Sequence, residues 1–321
     1  MSKYLLIFII ALVSCNFDKD QEMFQKFQRF IKKYNKKYNS MNEFLARFEV
    51  FKRNTMNALY ENEPYIKGIT QFSDLTQQEF KKMYLNFNYD ALAAANFNPY
   101  HKKVSNAAPE AFDWRDKQAV GPVYEQGAFI SSSVIVTLDN LQSLYFLKKG
   151  KLPTFSKQMI VDCVKNTQMI NAIFDWLKDN GIELDSDYPD DGRLGTCKAD
   201  PTKYVDMIIT GYKDLGSPVD EEEMKEFLYE TAPLIVGLNA TPLQTYSGGI
   251  IDLSSSQCPS SGINHVGILV GYGHDNDSKK DYWIVKNSWG RSWGEGGYFR
   301  IKRGSGTCGI NTYVMTGTVS F

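Results

Sequence analysis

The sequence predicts an α+β fold: a helical lobe, then an antiparallel β-barrel-like lobe, with a cleft between them and further helices ahead of both. Three observations carry this. Aromatic residues recur at steps of three and four between Glu22 and Glu61, the period of amphipathic helices. Helix start and stop signals punctuate the stretch from Ser131 to Gly181. From Leu234 onward, runs of valine, isoleucine and aromatic residues stand between glycine-rich turns, which is strand chemistry.

At the N-terminus, Lys3 precedes the apolar run Tyr4 to Val13, and Ser14 and Cys15 are small residues suited to cleavage. This reads as a secretory signal over residues 1–15, too short to span a bilayer. Leu12 to Cys15 also fits a lipoprotein-type cleavage site. In the secretory pathway disulfides persist. Of five cysteines, Cys163, Cys197, Cys258 and Cys308 remain beyond the signal, and their spacing alone leaves three pairings open. No Cys-x-x-Cys spacing for zinc is present, and no phosphate-binding glycine loop. A net charge of −1 over 321 residues excludes the strongly basic balance of a nucleic-acid binder.

Next come two helices. Phe24, Phe27, Ile31, Tyr34 and Tyr38 line one, and Phe44, Phe48, Phe51 and Ala58 the other. Residues 86–108 are rich in asparagine and alanine and read as a linker. Further helices are expected after Ser133, after Ser156, from Ala172 to Asn180, and from Pro218 to Tyr229 with Glu221, Glu222 and Glu223 in the first turn. Strands are expected at Leu234–Leu238, His265–Tyr272, Asp281–Lys286 and Gly297–Lys302. Asn239 and Asn276 open glycosylation sequons, with Pro242 following the first.

Two stretches carry candidate chemistry. Gln126-Gly127 leads to Ser131-Ser132-Ser133 at a helix start, where serine is an ordinary N-cap. His265 opens one strand, and Asn287-Ser288-Trp289-Gly290 closes another. A lone histidine there is more often structural than catalytic. The polar spacing in the second helix, Glu43, Arg47, Phe51, Asn54, Ala58 and Asn62, changes the weighting. So do Gly68 to Asp74, Asp113-Trp114-Arg115, and Gly290 to Tyr298.

Together these resemble papain-like, cathepsin L-like cysteine proteases and their inhibitory prosegment. The resemblance implies a prosegment over residues 16–85 and a peptidase domain over 109–321. It implies that Gln126 is the oxyanion-hole donor, His265 the imidazole paired with the nucleophile, Asn287 its orienting partner and Trp289 the cover of that pair. It also implies the disulfides Cys163–Cys197 and Cys258–Cys308. Neither cofactor nor metal is implied.

The chain departs from the family at the decisive position, where Ser132 replaces the cysteine nucleophile. A thiol starts near pKa 8.5 and falls to about 3–4 in papain-type pairs, whereas an alcohol starts several units higher. The neutral Asn287 supports an imidazolium less well than the carboxylate of a serine triad does. Phe129 stands where the family has a bridged cysteine, and no Cys-Asn-Gly-Gly segment follows Cys163 to form the substrate wall. Ile130 replaces a glycine and Ser133 a tryptophan. Two functions follow as expectations: a secreted homologue with little or no proteolysis that binds a peptide or protein in a modified cleft, or a hydrolase using Ser132, His265 and Asn287. The expected partners are that ligand and the chain's own prosegment, with no nucleic acid and no stable membrane span. The expected location is outside the cell or in a lysosome- or vacuole-like compartment.

Overall fold

A computed structural model describes residues 20–60, 63–87, 89, 108–127 and 130–321. The expected signal at residues 1–15, Asn62, Phe129 and most of the expected linker lie outside them.

The N-terminal unit begins with α1 (residues 20–33) and α2 (Met41–Tyr60). Phe27 and Phe51 are fully buried between them, their rings 5.1 Å apart, and Phe30 joins them at 2 % exposure. The first helix is shorter than the aromatic period suggests. It ends before Asn35, whose positive φ of 50° breaks the helical path. Tyr34 and Tyr38 then donate from the following turn, to the Ile69 carbonyl at 3.1 Å and to Asp74 at 3.0 Å.

The polar spacing along α2 has a direct physical purpose. Arg47 donates to the Asp74 carbonyl (3.0 Å) and to Glu79 (2.8 Å). Asn54 donates to the carbonyls of Ser73 (2.9 Å) and Leu75 (2.8 Å). One face of α2 therefore holds the irregular segment 68–75 and the start of α3 (Gln77–Tyr84). A Thr76–Glu79 capping box opens α3. The Arg47 hydrogen bond holds the Glu79 carboxyl down at about 2, against partial burial, with Thr76 helping. A depressed carboxyl contributes stability above its unfolded value, and that contribution is lost as pH falls toward 2. With Glu79 over a third exposed, the pair is worth under about 1 kcal/mol. Glu79→Gln is expected to lower the stability of the N-terminal unit slightly at pH 7 and not at pH 2, as followed by denaturant unfolding.

The helical lobe contains α4 (Ser132–Lys149), α5 (Lys157–Cys163) and α6 (Ile170–Asn180). Gly150 and Gly181, at φ 70° and 72°, end the first and third. The β lobe is one sheet with the path β3 (Ile208–Asp214), β10 (Val314–Ser320), β4 (Leu234–Leu238), β7 (His265–Asp275), β8 (Lys280–Lys286), β9 (Tyr298–Lys302) and β6 (Ile250–Ile251). β2 (Phe112–Asp113) pairs with β7. The pairs are antiparallel except β6 with β9, which is parallel. α7 (Glu221–Glu230) starts at Glu221 rather than Pro218, because the Asp220 side chain caps the N–H groups of Glu222 and Glu223. One core lies between the helical lobe and the sheet, around Leu138, Met159, Phe174 and Ile268. A second fills the β lobe around Leu269, Trp283 and Trp293, and takes in Phe72 and Phe80 of the N-terminal unit. Disulfides join Cys163 to Cys197 and Cys258 to Cys308.

The N-terminal unit docks on the β lobe through a small sheet, β1 (Ile66–Lys67) against β5 (Tyr246–Gly248). Thr70 donates to the Gln244 carbonyl at 2.6 Å and caps the Phe72 N–H, so the threonine both shapes its turn and binds the lobe. Among the described residues no helix is long and apolar enough to cross a membrane.

The two sequons differ in access. Asn239 is 8 % exposed, and its carboxamide is held by the Pro259 carbonyl and the Thr241 N–H, whereas Asn276 is exposed in the turn between β7 and β8. On secretion, any N-glycan is expected at Asn276, and Asn276→Gln should remove the glycosidase-sensitive mass.

Candidate active site

The site is assembled where the head of α4, with the Gln126 turn before it, meets the start of β7 and the end of β8. His265 is the first residue of β7 and is completely buried. Its Nε2 lies 2.8 Å from Asn287 Oδ1. The same oxygen accepts the Ser288 N–H at 2.8 Å, which fixes the orientation of the Asn287 amide. Trp289 covers the pair, its ring 4.7 Å from the imidazole. The turn beyond it needs Gly290, at φ 76°, because a Cβ there would sit 2.8 Å from Glu125 Oε2.

Gln126 is tied into this unit by a residue that the sequence reading passed over. Its N–H donates to the Ser288 carbonyl at 2.8 Å, and its Oε1 accepts the Ser288 hydroxyl at 2.6 Å. With Oε1 engaged, the amide nitrogen is turned the other way and has no partner. Ser288 thus joins Gln126 to Asn287 and His265.

Ser132 heads α4, with Ser131 as the N-cap. Its hydroxyl is fully buried and has no hydrogen-bond partner, and neither has His265 Nδ1. The hydroxyl and the imidazole are therefore not hydrogen-bonded to each other. The flanking serines are engaged elsewhere. Ser131 Oγ donates to the Thr167 carbonyl, and Ser133 Oγ to the Gln168 carbonyl at 2.9 Å. The short segment after Cys163 is thus bound to the head of α4. Ile130 is half-buried and packs against the helical-lobe core.

Burial pushes the His265 imidazole down to about 4, against the opposing pull of the Asn287 hydrogen bond and the Tyr84 backbone. That backbone belongs to the end of α3, so the N-terminal unit reaches the site itself. Phe72 and Phe80 pack edge-on against Trp289, at 5.4 and 5.3 Å, and the Phe87 N–H donates to the Asn264 carbonyl at 3.2 Å. Phe72 is legible in the sequence as part of the second prosegment motif, but its seat on Trp289 is not.

The model of the papain family cysteine protease matches residues 108–318, and that of the cathepsin propeptide inhibitor domain matches residues 27–80. The chain belongs to the papain family of cysteine proteases. It is 36% identical over 317 residues to the probable cysteine protease RD19B of Arabidopsis thaliana, covering 90% of this chain and 85% of the relative. The cathepsin L-like proteinase of Phaedon cochleariae is 33% identical, with 96% of this chain and 97% of the relative covered. Among solved structures, digestive procathepsin L 3 from the larval midgut of Tenebrio molitor superposes with a TM-score of 0.81 at 31% identity, covering 92% of this chain and 99% of that one. The two-lobe papain-like fold with an N-terminal helical propeptide is the architecture of this chain.

Proposed function

We propose that this papain-family chain is a secreted peptide-binding homologue with little or no proteolytic turnover. One observation carries the reading: the Ser132 hydroxyl, at the nucleophile position, makes no hydrogen bond to His265, whose imidazole is held by Asn287. A serine nucleophile needs its base within hydrogen-bond reach, because the alcohol does not ionise beside a neutral imidazole as a thiol does. The engagement of Ser131 and Ser133 with the 167–168 carbonyls supports a remodelled wall in place of an open substrate ledge.

The rival reading, a hydrolase using Ser132, His265 and Asn287, draws on the order of the Gln126–Ser288–Asn287–His265 unit. Incubation of the processed protein with unstructured peptides separates them. No turnover above the Ser132→Ala background is expected. Cleavage that disappears in Ser132→Ala would sink the non-proteolytic reading. Full activity in Ser132→Cys would sink the argument that the cleft itself has changed.

A further inference from the structure

A cleft of about 370 Å³ runs along the seam where the N-terminal unit rests on the β lobe. One wall is formed by Arg53 and Asn57 of α2, Glu63, Lys67 of β1, and Gln77 at the start of α3. The other is formed by Thr241, Pro242, Thr245, Leu253 and Gln257 of the β lobe. The volume lies in the range of small-molecule sites, about 300–1,000 Å³.

The back of the cleft is held from both sides. The Leu75 carbonyl accepts Asn54 Nδ2 of α2 and Gln244 Nε2 of the β lobe, each at 2.8 Å. Tyr65 Oη donates to the Pro242 carbonyl at 3.2 Å, which fixes the tyrosine ring at the cleft. The shape is therefore set before any ligand arrives, and that lowers the cost of binding one.

Several polar groups that line the cleft are idle. Glu63 Oε1 takes the Lys67 ammonium at 3.3 Å, but Oε2 is buried and has no hydrogen-bond partner. Buried polar atoms are normally paired, so this oxygen calls for a donor. Among the described residues the Asn57 and Gln77 amides, the Arg53 guanidinium and the Thr245 hydroxyl make no hydrogen bond. Amides and hydroxyls both donate and accept. The charges oppose an ionic ligand, because an anion meets the unpaired Glu63 oxygen and a cation meets Arg53 and Lys67. A neutral molecule that donates and accepts at many points meets no such opposition. A hydroxylated ring has that chemistry, and Tyr65, Pro242 and Leu253 supply apolar surface for its C–H groups.

We propose that this cleft binds a sugar, and that the sugar clamps the N-terminal unit to the β lobe. Both walls are needed to form the site, so the ligand binds the docked state and not the open one. Undocking is then opposed by the factor 1 + [L]/Kd, about a hundredfold at 100 times Kd. None of the lining residues belongs to the centre around Ser132, so the peptidase assay and this test fail independently.

The test is calorimetry on the full chain with glucose, galactose, mannose and N-acetylglucosamine, each as the free sugar and as the methyl glycoside. Glycine and sulfate serve as ionic comparators. Saturable binding of at least one sugar is expected. Asn57→Ala and Thr245→Val, one on each wall, should each weaken it about threefold to tenfold, the usual cost of a lost neutral hydrogen bond. Neither side chain is bonded within the described residues, so both variants keep the fold. The bound sugar should also slow hydrogen exchange of residues 77–87 by the linkage factor. A methyl glycoside that binds as well as the free sugar assigns the site to the end of a glycan chain, and loss of binding on methylation assigns it to a free sugar. No saturation by any of these sugars at about 50 mM, far above a millimolar Kd, would overturn the site. So would tighter binding of glycine or sulfate, or sugar binding that both variants leave unchanged. Sugar binding without slower exchange of residues 77–87 would overturn the clamp.

Discussion

Lys286→Met is expected to destabilise the protein by about 3–5 kcal/mol, the usual consequence of stranding one member of a buried ion pair. Lys286 is almost fully buried at the end of β8, and its Nζ lies 2.8 Å from Asp139 Oδ1 in the middle of α4. Burial pushes the Asp139 carboxyl up and the Lys286 amine down, each opposed by the charge of the other. Removing the ammonium leaves Asp139 with burial and no adjacent compensation, since Lys157 acts on it only as a weaker, secondary charge. The double variant Asp139→Leu, Lys286→Met should recover most of the loss, because a buried pair and an apolar replacement of similar volume differ little in energy. Denaturant unfolding of the two single variants and the double checks this. A single variant within about 0.5 kcal/mol of the unaltered protein would show that the site relaxes or admits water. The pair also has a positional consequence. Lys286 precedes Asn287 directly and Asp139 lies on the helix headed by Ser132, so the bridge fixes one lobe's site residues against the other's.

The strands with strong apolar runs were legible in the sequence, and Leu234–Leu238 falls where its branched residues place it. β3 and β10 were not. β3 is an edge strand that pairs with β10, carries an exposed Ile208 and the half-buried Gly211, and lacks a clean alternation. β10 contains Gly317, where a Cβ would come within 2.8 Å of Phe174, so packing against α6 selects a residue that weakens the strand signal. The parallel β6–β9 pair is two residues long and joins distant segments, which no local pattern encodes. At the site, residue types and spacing alone read as an N-cap serine and a structural histidine, and it is the family resemblance that singles out Gln126, Ser132, His265, Asn287 and Trp289. Their hydrogen-bond state is a tertiary property. It depends on Ser288 turning the Gln126 amide and on α3 bringing Tyr84, Phe72 and Phe80 over the imidazole and indole.

That cover makes the full chain acid-sensitive at one identifiable group. Burial holds His265 at about 4 in the folded chain, whereas an unfolded histidine titrates near 6.5. Here the sign is opposite to that of a histidine gaining a partner. The folded state binds fewer protons than the unfolded state, so stability is intact above pH 6.5 and declines as pH falls toward 4. Each pH unit in that window costs about 1.4 kcal/mol, or roughly 3 kcal/mol across it. Opening of the N-terminal unit that lets water reach the imidazole recovers part of the same energy, so acid should favour release before global unfolding. Hydrogen exchange of residues 77–87 between pH 7 and pH 4 is the measurement. Faster exchange in the unaltered chain and a flatter profile in His265→Gln are the expected results, because the amide does not titrate. Glu79 sits on the same helix, but its carboxyl is held near 2 and stays ionised throughout this window. The two groups therefore act in separate pH ranges, and an unchanged profile in His265→Gln would assign the acid response to neither.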